Sequence, residues 1–255
     1  MSEIIEKEDD NIIKYYNNIL QQTKYLNDCS RHDNLILSTG MYYDYVSPTS
    51  YQYPKFTTGI DSDQLDYCRF RELELLAQEL KRRQVPGQLA EVGVYRGDFA
   101  AKIARIFPDK KLYLFDTFSG FRENDVEWEK EQQLVGNGFL SLISQFGDVC
   151  IETVLNKIHC PERCEIRQGY FPDSLDGMED IFCFVSIDVD LYQPTLKALQ
   201  YFYPRLSRNG YIMLHDYNHD ELLGVKKAVL DYEKEMSSLI AVPVPDQCGT
   251  LIITK

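Results

Sequence analysis

The stretch that decides the fold is "IFCFVSIDVDLY", residues 181–192. Six of its first seven residues are apolar, and the run then reaches two aspartates spaced by one valine. A short apolar run without alternation marks a strand buried on both faces, as in a parallel sheet covered by helices. Side chains alternate along a strand, so Asp188 and Asp190 are expected to point the same way. Two neighbouring carboxylates repel unless something positive holds them or one keeps a proton. The alternative is that both merely cap the helix opened by "DLYQPTL", since Asp is favourable near a helix start.

Working outward, the chain alternates. Upstream, residues 63–83 carry Leu65, Cys68, Leu73, Leu76 and Leu80 as a helical stripe. "QLAEVGV" then reads as a strand, "DFAAKIARIF" as a helix with Phe99, Ile103 and Ile106 on one face, "KLYLFD" as a strand and "RCEIRQ" as a weaker one. Downstream, "TLKALQYFYPRL" stacks Leu196, Leu199, Tyr203 and Leu206 on a helix, and "GYIMLHD" is a strand. "LLGVKKAVLDYEKEM" places Leu222, Val225, Val229, Tyr232 and Met236 in helical register, and "LIAVPV" with "GTLIITK" forms a closing strand pair. Strands alternating with helices predict an α/β fold: a doubly wound, mostly parallel seven-stranded sheet with an antiparallel closing strand.

Two segments break the alternation. Residues 1–60, with the Tyr-, Pro- and Ser-rich "MYYDYVSPTSYQYPKFTTG", read as an irregular N-terminal segment, a lid or oligomer contact, ahead of a main domain at 61–255. Residues 118–147 are charged, hold the only tryptophan, Trp128, and make a candidate substrate lid or else a solvated surface helix.

The chain has 255 residues, 44% of them hydrophobic, and a formal charge of -13. That charge argues against nonspecific nucleic-acid binding and against an anionic membrane surface. No apolar run reaches the length of a membrane helix. The acidic start has no signal-peptide pattern, and seven cysteines fit free thiols in a reducing cytoplasm. His159, Cys160 and Cys164 in "HCPERC" lack a second ligand pair at zinc spacing, so they read as ordinary thiols at a strand start.

In a doubly wound sheet, ligands bind beyond the carboxyl ends of the strands. "EVGVYRGDFA" lies there, with Glu91, Gly93 and Gly97. Gly93-x-x-x-Gly97 lacks the close glycine pair of a pyrophosphate turn, and Glu91 is poor company for phosphate. Asp116, some twenty residues on at the end of "LYLFD", can accept both ribose hydroxyls of an adenosine. Together they suggest an adenosyl ligand with an amino-acid tail, S-adenosylmethionine (SAM). At the ends of two further strands, Asp188, Asp190, His215 and Asp216 are expected to converge on a divalent ion such as Mg²⁺, with one aspartate free as general base. Acids at two strand ends favour this site over simple capping. A nicotinamide-dependent oxidoreductase on the same sheet is disfavoured by Glu91 and the missing glycine pair. A noncatalytic binding module is disfavoured by the acids.

The motifs "GQLAEVGVYRGDFAAKIA", "YLFDTFSGF", "QGYFPDSL", "IDVDLYQPTLKALQYFYPRLSRNGYIMLHDY" and "GVKKAVLDY" resemble those of the macrocin-O-methyltransferase (TylF) family over residues 56–232. The resemblance implies a class I, SAM- and Mg²⁺-dependent methyltransferase acting on sugar hydroxyls of secondary metabolites. It implies cofactor contacts at Glu91, Gly93, Gly97, Asp116 and Ser119, a metal ligand at Asp188 and the base at Asp190. The family's adjacent acidic ligands fall on His215 and Asp216. A histidine there is a weaker Mg²⁺ ligand and favours Mn²⁺ or another transition ion, or acts as a second base. The expected partner is a small-molecule, glycosylated acceptor, and the expected assembly a cytoplasmic homo-oligomer.

Overall fold

The computed structural model describes residues 67–255, apart from Asp148, Ser237 and Gln247. The irregular segment expected at 1–60 and the first residues of the following helix lie outside the described residues. Among the described residues no single helix is long and apolar enough to cross a membrane.

The elements in chain order are α1 (Tyr67–Arg82), β1 (Gln88–Val92), α2 (Asp98–Ile106), β2 (Leu112–Asp116), α3 (Glu123–Glu131), α4 (Asn137–Leu142) and α5 (Ile151–Lys157). They continue with β3 (Cys164–Gln168), β4 (Phe182–Ile187), α6 (Tyr192–Arg205), β5 (Leu206–Leu214), α7 (Leu223–Met236), β6 (Ile240–Pro243) and β7 (Leu251–Thr254). The strands form one sheet in the order β3-β2-β1-β4-β5-β7-β6. The first five run parallel, and β7 lies antiparallel between β5 and β6. The seven-stranded, doubly wound sheet expected from the alternation is therefore present, with its antiparallel closing pair.

The apolar stretch Phe182–Ile187 is β4, the centre of the sheet, and every residue in it is buried, while Ile181 just before it is exposed. One face of the sheet packs Phe115, Phe182 and Val185 against Leu199, Phe202, Val225 and Tyr232 of α6 and α7. The other packs Leu89, Leu114 and Phe184 against Leu73, Leu80 and Ile103 of α1 and α2. Each fully buried large apolar side chain is worth about 1.5–3 kcal/mol over leaving it in water. That burial is why β4 reads as continuous apolar sequence.

Three expectations shift. Leu206 is the first residue of β5, because α6 ends at Arg205. The buried face of α6 uses Phe202, while Tyr203 is half-buried. Met236 ends α7 at 44% exposure, beyond the edge of the core. The region 118–147 folds as α3, α4 and a 3-10 turn at Ile143–Phe146. Only Val126, Glu129 and Phe139 of these helices are buried, so charge dominates their sequence and hides the period.

The register sets the level of the site. Val92 pairs Ile187, and Ile187 pairs Leu214. The next residues of the three strands, Gly93, Asp188 and His215, therefore emerge side by side. Strand order reverses between β1 and β4, which opens the crevice at this point.

Candidate active site

A cleft of about 1380 Å³ lies over the carboxyl ends of β1, β2, β4 and β5. Glu91, Gly93, Asp116, Asp188, Asp190, His215 and Asp216 all line it. Gly97 and Ser119 do not. Gly97 is buried at the start of α2 with φ +79, where a Cβ would press on Val154. It shapes the turn instead of touching the cleft. Ser119 is exposed, and its neighbours Thr117 and Gly120 line the cleft in its place.

The β1–β2 side is organised by backbone. Gly93 has φ +87, in the region glycine tolerates, and a Cβ there would overlap the Asp188 carbonyl. Asp116 Oδ2 accepts the N–H of Val94 at 2.7 Å and of Tyr95 at 2.8 Å, and its Oδ1 accepts that of Phe118 at 2.7 Å. One carboxylate thus holds two loops. Glu91 is 1% exposed, and its Oε2 has no hydrogen-bond partner among the described residues. Burial pushes its carboxyl well above the usual range, and Arg69 only partly offsets this.

The β4–β5 side is organised by side chains. Helix α6 begins at Tyr192 with Leu191 at its cap and no side-chain capping bond, so the capping reading of the aspartates fails. Asp188 Oδ2 accepts Arg69 Nη2 at 2.8 Å, and its Oδ1 lies 3.0 Å from His215 Nδ1. The same nitrogen lies 2.9 Å from Asp216 Oδ2. Arg69 reaches over from α1 with its guanidinium 4.2 Å from the centre of the Phe99 ring.

Burial alone would raise Asp188, but His215 and Arg69 hold it far below the carboxylate range. Asp216 is likewise lowered: burial opposes its charge, and His215 outweighs that. Burial and Arg69 oppose a charge on His215, yet Asp188 and Asp216 raise it well above its ordinary value. For Asp190, burial and the charges of Asp216 and Asp188 all push the carboxyl well up. The cluster thus favours charge on Asp188, Asp216, His215 and Arg69 and the protonated form of Asp190. Asp190 and Asp216 also sit at φ +61 and +59, the left-handed region that aspartate tolerates better than most side chains.

Asp188, Asp190 and Asp216 present oxygens within 4.8 Å of one another. That all-oxygen set fits a hard divalent cation. Of the groups named from sequence, the structure brings together Glu91, Gly93 and Asp116 on one side and all four of Asp188, Asp190, His215 and Asp216 on the other. Sequence reasoning missed Arg69, which lies on a helix remote from any strand end, and Cys248, which enters from the turn between β6 and β7. Neither carries a local signal.

The region 118–147 borders the cleft through Phe121, Arg122, Asp125 and Phe139. It is fastened to the body at several points. Glu129 accepts the Tyr192 N–H at 2.5 Å, and Trp128 stacks on Tyr192 at 4.8 Å. Glu221 accepts the N–H of Phe139 at 2.6 Å.

The pattern that defines the macrocin-O-methyltransferase (TylF) family matches residues 25–246. Among characterised relatives, the 8-demethyl-8-(2,3-dimethoxy-alpha-L-rhamnosyl)-tetracenomycin-C 4'-O-methyltransferase of Streptomyces olivaceus is 28% identical over 202 residues, 74% of this chain and 70% of that protein. The demethyldecarbamoylnovobiocin O-methyltransferase of Streptomyces niveus is 23% identical over 156 residues, 58% of this chain and 60% of that protein. Among solved structures, the O-methyltransferase NovP superposes with a TM-score of 0.58 at 20% identity, covering 73% of this chain and 79% of that one. The calicheamicin methyltransferase CalS11 superposes at 0.50 and 19% identity, covering 72% and 79%. At these identities the structural likeness shows the fold.

Proposed function

The chain belongs to the macrocin-O-methyltransferase (TylF) family, a group of SAM-dependent O-methyltransferases, and from that premise we propose that it methylates a hydroxyl of a glycosylated secondary metabolite with the help of a divalent cation. The single observation that carries the reading is the meeting of a glycine-turn half and an acid half in one cleft. The relatives that act on rhamnosylated tetracenomycin and on a novobiocin precursor support the acceptor class.

In this reading Glu91 and the Gly93 turn hold the methionine end of SAM, and Asp116 holds the ribose while fixing the turn. The buried oxygen of Glu91, without a partner among the described residues, suits an ammonium group. The sulfonium methyl is already activated, so alignment of the acceptor supplies much of the rate. Bound SAM would supply an electrophilic methyl carbon to the acceptor oxygen, the carbon–sulfur bond giving way and S-adenosylhomocysteine being the by-product. Asp190 would give up its proton once Asp188 and Asp216 hold a cation, and the resulting carboxylate, the strongest base of the three acids by its raised proton affinity, would take the hydroxyl proton. Asp188 and Asp216 would hold the cation, Mg²⁺ or Mn²⁺, with His215 bridging them. A bound cation there supplies a Lewis acid that lowers the pKa of a hydroxyl.

Calorimetry with S-adenosylhomocysteine, with and without Mg²⁺ or Mn²⁺, tests the reading, followed by turnover of an acceptor panel. Binding of the nucleoside and a cation-dependent methyl transfer are expected. No nucleoside binding would end the cofactor assignment. Turnover unchanged by a chelator would end the cation's role.

A further inference from the structure

We infer that this chain carries a second cation position, made by His215, Asp216 and Cys248 and suited to a borderline-soft transition ion such as Zn²⁺. An imidazole nitrogen, a carboxylate oxygen and the Cys248 sulfur lie within 4.8 Å of one another. Nitrogen and thiolate donors select ions of the Zn²⁺ class, whereas oxygen-only sets suit Mg²⁺. The neighbouring triad of Asp188, Asp190 and Asp216 is oxygen-only. One cleft therefore presents two donor sets of different softness that share Asp216.

The cysteine is held in place. Cys248 lies in the turn between β6 and β7. Asp246 Oδ1 accepts the Thr250 N–H at 2.7 Å, and the Val244 N–H donates to the Thr250 carbonyl at 2.7 Å, closing the turn. Gly249 has φ +64, and a Cβ there would come within 2.5 Å of Asn218. The turn is thus seated on the loop that follows Asp216, and this packing delivers the sulfur to the end of β5. Cys248 is half-buried and lines the cleft. Three protein ligands leave one tetrahedral position open to solvent or a ligand in the cleft. Binding releases the thiol proton and the proton that His215 shares with the two aspartates, since imidazole and thiolate ligate only when deprotonated.

The position shares His215 and Asp216 with the proposed methyl-transfer reading, and the test keeps the two apart. Co²⁺ alone is titrated into the full-length protein and followed by absorption. A thiolate-to-cobalt charge-transfer band is expected, saturating with one ion and abolished by added Zn²⁺. Cys248→Ser should lose the band, Cys160→Ser should keep it, and Zn²⁺ affinity of Cys248→Ser should fall by at least about 10–100-fold, the loss seen for groups that only support a ligand. Cys248→Ala, checked for folding by circular dichroism, should behave as Cys248→Ser does. No band in the native protein, or an undiminished band in both Cys248 variants, overturns the inference. Mg²⁺ binding without a cobalt–thiolate band refutes the second position alone. The band without S-adenosylhomocysteine or Mg²⁺ binding supports the second position and refutes the methyl-transfer reading.

Discussion

On the β1–β2 side of the cleft, Asp116 engages both carboxylate oxygens with three backbone N–H groups. On the β4–β5 side, Asp188 engages both of its oxygens with side chains, Arg69 and His215. The difference is one of permanence. Backbone donors are fixed by the turn and stay where the fold puts them. Side-chain counter-ions are placed by rotamers and held by the charge balance of a buried cluster. In the proposed reading the first half is a scaffold for the nucleoside, and the second a charge balance that a cation would join.

The largest effect should come where the two halves touch. Gly93→Ala places a methyl against the Asp188 carbonyl and at a positive φ. It should cost more than about 4 kcal/mol, the range of severe backbone strain and overpacking. Chemical denaturation reads this directly. Near-native stability would mean that the halves are not in rigid contact.

Asp190→Asn tests the acid half. An amide tolerates the left-handed backbone but cannot take the proton. Methyl transfer should fall by about 10²–10⁴-fold while S-adenosylhomocysteine binding is unchanged. Full turnover in this variant would move the base elsewhere, with His215 the first candidate.

Asp116→Ala tests the scaffold half. It removes the proposed acceptor for the ribose and frees three N–H groups. S-adenosylhomocysteine affinity by calorimetry should drop by about tenfold or more, as expected for charge-assisted hydrogen bonds of about 1.5–3 kcal/mol. An unchanged affinity would sink the ribose assignment.

The smallest effect concerns Glu129, which ties the 118–147 region to Tyr192. Burial pushes its carboxyl up to about 7. The folded protein therefore binds this proton more tightly than the unfolded chain does. Its contribution favours folding in acid and is lost as pH rises from about 4.5 through 7. Glu129→Gln should gain about 1–2 kcal/mol at pH 8 and nothing at pH 5, and thermal melts at the two values compare them. Equal gains at both would show that no proton is involved.

Much of this was legible in the chain. Asp188, Asp190, His215 and Asp216 sit directly after apolar runs, and a parallel sheet places such strand ends at one level. Glu91, Gly93 and Asp116 were visible for the same reason. Ser119 was not, since which residue of a loop faces inward depends on loop dihedrals: Phe118 takes φ +54, and Thr117 and Gly120 turn toward the cleft. The helices at 118–147 were obscured because they bury few residues and keep their charges in water.

By itself the sequence determined the sheet, its order of elements and the gathering of acids at the ends of β4 and β5. Those follow from periodicity and burial, which are local and repeat along the chain. Only the tertiary structure decided what surrounds the acids. Arg69 comes from 119 residues before Asp188, and Cys248 arrives from the last hairpin. Neither has a neighbour in sequence that marks it, because a contact across the fold is set by how α1 and the β6–β7 turn pack on the sheet. The charge state of Asp190 follows the same rule. It depends on burial and on Asp188 and Asp216 together, and electrostatic energy is a property of the assembled cluster and not of any one residue.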